Sequence, residues 1–202
     1  GEAKRRHEGG VFVAEMLNKI RAADVPAGTK WCRGWDLAGS EIDPKRPDRE
    51  PPYTAGVLIG RQPNGRFVVS DARRMRGKPD QVEKYIHDAM KETPHIEHSI
   101  PQDPGQAGKA QVSYFTKAFA GFVVHFSTES GDKTDRARPF AAQVNAGNVD
   151  MVIGPGNQEY MDELNAFPGD DKNFKDLVDA SSRAFSRILA PQTVKKLKIV
   201  GK

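Results

Sequence analysis

The stretch YTAGVLIGRQPNGRFVVSDAR, residues 53–73, decides the fold. Two apolar runs rich in β-branched and small residues flank Asn64-Gly65, a pair that tight hairpin turns prefer. The stretch therefore predicts two antiparallel strands, over 53–61 and 66–73, joined by a short turn.

The order of the elements around this hairpin distinguishes one α/β fold from another. Upstream, KWCRGWDLA (30–38) predicts a third strand, which completes an antiparallel meander. Downstream, helical and strand patterns alternate, and no GxGxxG follows a strand, which argues against a dinucleotide-binding domain. This order favours a ribonuclease H-like fold, with a mixed sheet of five strands flanked by helices, over a fully parallel doubly wound sheet. The other predicted strands are 95–103, 121–128 and 148–154, and the predicted helices are 11–24, 79–92, 106–120, 133–147, 157–167 and 174–189.

Composition limits the classes of function. The 202 residues are 37% hydrophobic and 29% charged, which is typical of a soluble α/β domain. No apolar run approaches the roughly 20 residues that cross a bilayer, and the first residues lack a signal-peptide pattern, so we expect no membrane or secreted role. The single cysteine, Cys32, excludes an internal disulfide and a cysteine-rich zinc module. The net charge of +4 permits a polyanionic partner without requiring one.

Aspartates lie at the ends of several predicted elements. Asp36 lies in the strand 30–38, Asp103 closes a later strand, and Asp176 lies in the first turn of the last helix. In a ribonuclease H-like sheet the strands of Asp36 and Asp103 are neighbours, and the last helix can bring Asp176 against them. Clustered carboxylates repel one another unless cations neutralise them, and a set of oxygen ligands favours Mg²⁺ or Mn²⁺. Two such ions about 3.5–4 Å apart can activate a water molecule and stabilise the leaving oxygen of a phosphodiester.

The residues alone leave a structural alternative open for each aspartate. Asp103 stands beside Pro-Gly, as turn residues often do, and Asp176 suits the dipole at a helix N-terminus. Asp36 fits that alternative least, because aspartate is unfavourable inside a strand and costly when it is buried without a partner.

Four motifs together resemble the C-terminal nuclease domain of tailed-bacteriophage terminase large subunits, over about residues 30–190. They are RGWDLAGSE, IPQDPGQAGKAQ, GDKTDRARPFAAQVNAGNV and FPGDDKNFKDLVDASSRAF, in this order. The resemblance implies a metal-dependent endonuclease that cuts concatemeric viral double-stranded DNA during genome packaging. It makes Asp36 the ligand that bridges two Mg²⁺ or Mn²⁺ ions, Asp103 and Asp176 the other catalytic ligands, and Asp179 an auxiliary metal ligand at most. The stretch FKDLVDA departs from the family pattern, because Lys175 stands where a second acid is common.

The resemblance also implies the organisation and the partners of the chain. It implies a leader and linker helix from an ATPase domain over 1–29, the nuclease domain over 30–190 and a basic C-terminal tail over 191–202. No GxxxxGK[ST] phosphate loop is present, so we expect no ATP hydrolysis by this chain. The implied partners are double-stranded DNA, the portal protein, the small terminase subunit and the ATPase domain, in the cytoplasm of a bacterial host.

Basic side chains are the candidates for DNA contact, which we expect to be electrostatic and independent of base sequence. Lys109 and Lys133 follow loops near the predicted metal site and are candidates to stabilise phosphate charge. Two alternatives stay open: another nuclease of this fold, such as a junction resolvase or a transposase-like enzyme, and a non-catalytic DNA-binding or motor-docking module. The full set of candidates is Arg61, Arg66, Arg73, Arg74, Arg76, Lys78, Lys109, Lys133, Arg136 and Arg138.

Overall fold

A computed structural model describes residues 10–37, 53–169 and 175–190, and these residues form seven strands and five α-helices. The predicted tail 191–202 and the first nine residues of the predicted leader lie outside the described residues. The strands are β1 (Asn18–Ile20), β2 (Lys30–Asp36), β3 (Thr54–Arg61), β4 (Phe67–Met75), β5 (Glu97–Pro101), β6 (Val124–Ser127) and β7 (Val149–Val152). The helices are α1 (Pro79–Glu92), α2 (Gly105–Ala118), α3 (Lys133–Asn145), α4 (Asn157–Ala166) and α5 (Asp176–Leu189).

The strands form one mixed sheet in the order β1-β7-β4-β3-β2-β5-β6. The predicted meander is confirmed, because β2, β3 and β4 pair antiparallel and the β3–β4 turn contains Gly65 at φ +87°. The predicted proximity of the first and fourth strands is confirmed as well, since β5 pairs in parallel with β2. The mixed sheet flanked by helices agrees with the predicted ribonuclease H-like class. Across the described residues the sheet has seven strands, however, because β1 joins the six strands predicted from the sequence, and it is wider than the five-stranded arrangement.

The helix predicted over 11–24 was wrong. This segment instead contains two 3₁₀ turns on either side of β1, and β1 pairs in parallel with β7. The apolar residues that suggested a helix pack into the core without forming one: Phe12, Ala14 and Leu17 are each buried beside side chains of α3, α4 and α5. Hydrogen bonding to β7 and this burial together override the local helical pattern. Residues 18–20 therefore belong to the same sheet as β2.

The two faces of the sheet carry separate cores. One core contains buried side chains of α3, α4 and α5, and the other contains buried side chains of α1 together with Trp35, Ile100 and Phe119. Neighbouring residues of β2 point to opposite faces, so Trp35 enters the second core while Gly34 lies against α5. None of the helices in the described ranges is long and apolar enough to span a membrane.

Helix α5 lies closely against β2 and β3. Every side chain from Leu177 to Phe185 is buried, so the helix is enclosed along most of its length. A Cβ atom added to Gly34 would lie 2.1 Å from the carbonyl oxygen of Ala180, which shows how closely the helix backbone approaches the strand. The first turn of α5 is thereby held beside the C-terminal end of β2.

Candidate metal and nucleic-acid site

Three parts of the chain bring acidic side chains to one end of the sheet. Asp36 is the last residue of β2, and Asp176 and Asp179 lie in the first turn of α5. Glu129 belongs to the loop that follows β6, and Lys133 begins α3 just beyond it. The carboxyl ends of β2, β5 and β6 all lie at this edge because these strands are parallel to one another.

Asp36 is a half-buried carboxylate with other carboxylates around it. Burial raises the pKa of Asp36 well above its ordinary value, and the charges of Asp179, Asp176 and Glu129 raise it further, while Lys133 opposes them. The part of the chain that the structure describes gives Asp36 no ion pair, so its charge is not neutralised by a directly bonded cation.

Asp176 is the second carboxylate without a cation bonded to it in the described ranges. Burial raises the pKa of Asp176, a hydrogen bond from the backbone of Tyr53 lowers it, and Lys133 lowers it further. Its Oδ2 atom is buried and has no hydrogen-bond partner among the described residues. Such a buried orphan oxygen is costly unless a ligand or ion satisfies it.

The start of α5 is fixed by a carboxylate from α4. Glu163 Oε1 accepts hydrogen bonds from the backbone N–H groups of Leu177 (2.7 Å) and Val178 (3.1 Å). Glu163 thereby satisfies two of the N–H groups that a helix N-terminus leaves without an intrahelical partner. The helix turn that presents Asp176 is therefore held from outside the helix.

Asp179 differs from its two neighbours because protein cations neutralise it. Its side chain is 3% exposed and forms an ion pair with Lys133. Arg136 Nη2 lies 3.4 Å from the other carboxylate oxygen. The sequence predicted Asp179 as an auxiliary metal ligand at most. In the structure its carboxylate pairs with Lys133 and Arg136, and its charge acts on Asp36.

Asp103 lies beyond the carboxyl end of β5, at the same edge of the sheet as Asp36. It follows β5 by two residues and is exposed, and its charge is not among those that act most on Asp36. Its carbonyl group is closely packed by Gly108, where an added Cβ atom would lie 1.7 Å from the Asp103 oxygen. Within the described ranges, no group of three or more His, Cys, Asp and Glu side chains is arranged to hold a metal ion.

The ligand chemistry of the cluster nevertheless fits a divalent cation. Burial makes the charged forms of Asp36 and Asp176 costly. One of their carboxylate oxygens, Asp176 Oδ2, lacks any partner in the described part of the chain. Oxygen donors of this kind favour Mg²⁺ or Mn²⁺. A bound cation would supply the neutralising charge that Lys133 and Arg136 already provide to Asp179.

Sequence reasoning missed Glu129. Glu129 forms one ion pair with Arg183 and a second with Arg136, whose Nη2 atom lies 3.0 Å from Glu129 Oε2. The charge of Glu129 also raises the pKa of Asp36. The sequence did contain a weak signal, because Glu129 follows the end of a parallel strand, where α/β folds commonly place functional side chains.

Two of the predicted DNA-binding residues lie at the far end of the sheet. Arg61 pairs in register with Lys30, the first residue of β2, whereas Asp36 is the last. Six residues of strand separate these positions, which is about 20 Å. Arg66 follows the same hairpin turn, and its Nη2 atom lies 2.5 Å from Asp150 Oδ1.

The basic run 73–78 begins at the same end of the sheet as Asp36. Arg73 forms ion pairs with Asp71 and Glu92. The guanidinium groups of Arg74 and Arg76 both lie over the ring of Tyr53, at 4.2 Å and 3.9 Å from its centroid. Lys78, at the end of this run, is exposed, and so are Lys109 and Arg138.

Comparison with known proteins assigns a family to this chain. Residues 33–187 match the family described as Terminase RNaseH-like domain. No curated protein sequence matches the chain.

Solved structures show the same fold at low sequence identity. The large terminase nuclease of thermophilic phage G20c with bound magnesium has a TM-score of 0.63 and 16% identity, covering 88% of this chain and 97% of that chain. The nuclease domain of the large terminase subunit gp2 of bacterial virus Sf6 has a TM-score of 0.54 and 10% identity, covering 90% and 99%. The human cytomegalovirus terminase nuclease domain, soaked with manganese, has a TM-score of 0.56 and 11% identity, covering 86% and 90%. Since the family match covers more than half of the residues, this chain belongs to the family of terminase RNase H-like domains.

Proposed function

We propose that this chain is a metal-dependent endonuclease domain that cleaves concatemeric viral double-stranded DNA during genome packaging. The observation that supports this most is the pair Asp36 and Asp176, two carboxylates in one partly buried cluster that have no ion pair in the described ranges. The unpartnered Oδ2 atom of Asp176 adds to this support. Membership in the terminase RNase H-like family makes phosphodiester hydrolysis the expected chemistry.

Asp36, Asp103 and Asp176 are the proposed ligands of two Mg²⁺ or Mn²⁺ ions. The parallel pairing of β5 with β2 supports Asp103, since both strands end at the same edge of the sheet. Bound there, the ions would lower the pKa of a water molecule and offset negative charge on the phosphodiester. Lys133 and Arg136 would add positive charge close to the same phosphate, while Asp179 keeps both side chains in place.

DNA is the proposed substrate and is bound through its phosphates, with little reading of base sequence. The basic side chains at the Asp36 end of the sheet, from Arg73 to Lys78, are better placed for this than Arg61 and Arg66. The portal protein, the small terminase subunit and the ATPase domain are the proposed protein partners, in the cytoplasm of a bacterial host.

Plasmid cleavage tests the proposal. Supercoiled DNA should be nicked and linearised in Mg²⁺ or Mn²⁺ and left intact in EDTA, and Asp36→Asn should abolish cleavage. Asp135→Asn is the matched control, because Asp135 has a side chain 72% exposed on α3, where it pairs with Arg138. Cleavage that survives in Asp36→Asn, with contaminating nuclease excluded, would refute the assignment of Asp36.

Two other results would favour the alternative functions. Strong preference for branched over linear duplex DNA would indicate a junction resolvase. Intact DNA binding without Mn²⁺ binding in calorimetry would indicate a non-catalytic module.

A further inference from the structure

A cavity of about 260 Å³ lies beside the carboxylate cluster, between α5 and the strands β5 and β6. On the strand side, Ser99, His125 and Ser127 line it, and they lie on the face opposite the core that contains Ile100. On the helix side, Ser182 and Ser186 contribute two more hydroxyl-bearing side chains. Hydroxyl groups therefore face the cavity from both the strand side and the helix side.

Three guanidinium groups also line this cavity. Arg183 has a side chain 4% exposed, and its Nη1 atom donates to Ser127 Oγ at 2.9 Å. Its Nε–H group is buried and has no partner among the described residues. Arg187 Nη2 lies 2.8 Å from Glu97 Oε1, and Arg136 reaches the cavity from α3.

The charges around the cavity do not balance. Glu129 faces two guanidinium groups, those of Arg183 and Arg136, and Glu97 faces that of Arg187. Asp179 pairs with both Arg136 and Lys133, so four cations in this region share three carboxylates. The cavity is therefore positively charged and rich in donors, which suits an anion with several oxygens.

The size of the cavity restricts the anion. Pockets for drug-sized ligands are roughly 300–1,000 Å³, so a space of about 260 Å³ is small for a whole nucleotide and adequate for one phosphate group with its waters. The oxygens of a phosphate match the forked donors of arginine and the hydroxyl groups of serine.

The cavity continues the carboxylate cluster along α5. Arg183 and Arg187 follow Asp179 by four and eight residues, so they lie one and two turns along the helix, at a rise of about 6 Å and 12 Å. Arg136 joins the two regions directly, because it contacts both Asp179 and Glu129. A nucleic-acid strand that is bound at Asp36 and runs along α5 would reach this cavity within a few nucleotides.

We propose that this cavity binds a backbone phosphate of the DNA strand next to the bond that is cut. The inference rests on the proposed nuclease function and adds to it a second, metal-independent contact with the substrate. The excess of guanidinium groups and the serine hydroxyls would hold the phosphate. The site would thereby fix the register of the strand relative to Asp36.

Titration with inorganic phosphate, followed by NMR, tests whether the cavity accepts the anion. The imidazole signals of His125, which lines the cavity, should move on titration. The signals of His95, which is exposed before the start of β5, should stay in place. Equal or absent shifts of the two histidines would overturn the inference.

A charge inserted at the rim tests the contact with DNA. Ser186 is exposed and lines the cavity, so Ser186→Glu adds a negative charge there without disturbing the core, and Ser186→Ala is the matched control. In EDTA, where no cleavage occurs, Ser186→Glu should weaken binding of a short duplex about tenfold. It should also lower the slope of log K against log salt by about 1, while Ser186→Ala matches the wild type.

Two further results separate the possible sources of phosphate and the possible failures. Duplexes with and without 5′-phosphates should bind equally, and a preference for phosphorylated ends would overturn the assignment to the backbone. A wild-type protein that shows the His125 response but cuts no plasmid would refute the proposed nuclease function. A protein that cuts DNA and binds it equally well with Ser186→Glu would refute this inference alone.

Discussion

Gly34→Ala should separate α5 from β2 and thereby disrupt the candidate site. The new Cβ atom would lie 2.1 Å from the Ala180 carbonyl oxygen and 2.5 Å from the Ala184 nitrogen, whereas ordinary contact begins at 3.4 Å. Both neighbours are backbone atoms, so no side-chain rotation relieves the overlap. Restoring contact distance requires the helix to move by about 1.3 Å.

That displacement has a structural and a functional cost. Overpacking of a core usually costs about 1–3 kcal/mol in the free energy of unfolding. Because Asp36 lies two residues from Gly34 and Asp176 begins α5, the same movement widens the space between the two proposed ligands. A misplacement of about 1 Å can reduce an enzymatic rate about 100-fold, and we expect a loss of this order in cleavage.

Urea unfolding and Mg²⁺-dependent plasmid cleavage measure the two effects. The matched control is Gly154→Ala, because the nearest atom to a Cβ at Gly154 is 3.9 Å away and the position is exposed. The reasoning would be refuted if Gly34→Ala kept its unfolding free energy within about 0.5 kcal/mol and its cleavage rate within about twofold of Gly154→Ala.

Two further predictions concern stability. His98 is fully buried and accepts a hydrogen bond from Trp35 Nε1 at 3.0 Å, and burial, helped by Arg33, lowers its pKa to about 3. In the unfolded chain His98 binds a proton below about pH 6.5, whereas in the folded chain it does so only near pH 3. The free energy of unfolding is therefore highest above about pH 6.5, and it falls by up to about 1.4 kcal/mol per pH unit as the pH drops towards 3. In urea unfolding at several pH values, His98→Gln, which keeps an acceptor for Trp35, should remove this contribution; an unchanged slope contradicts the assignment. Glu163→Ala leaves two N–H groups of α5 without their acceptor and should lower the unfolding free energy by about 2 kcal/mol, whereas Glu163→Gln should retain most of it.

Local patterns in the sequence were sufficient for much of the fold. The Asn64-Gly65 turn with its flanking apolar runs predicted the hairpin, because that turn chemistry acts over a few residues. The residues of β1 gave no such signal, since β1 is defined by pairing with β7, about 130 residues away in sequence. The apolar residues around β1 have helical spacing, and only the tertiary structure shows that Phe12 and Leu17 enter a core beside an edge strand.

The candidate site was predictable to a similar extent. An aspartate in a predicted strand made Asp36 a candidate, because burial of a carboxylate needs an explanation. The pairing of Asp179 with Lys133 and Arg136 depends on how α3 packs against α5, which no local pattern encodes. The same holds for Glu129, whose position depends on Arg183 from α5.

The enclosure of α5 along nearly its whole length has a consequence for dynamics. A helix whose side chains are buried from Leu177 to Phe185 opens only when the domain as a whole opens, so its amide protons should be among the slowest to exchange with solvent. The element that opens least readily, rather than a loop, therefore carries Asp176, Asp179 and Arg183. Heating should accordingly leave the arrangement of these three side chains intact until cooperative unfolding removes it in one step.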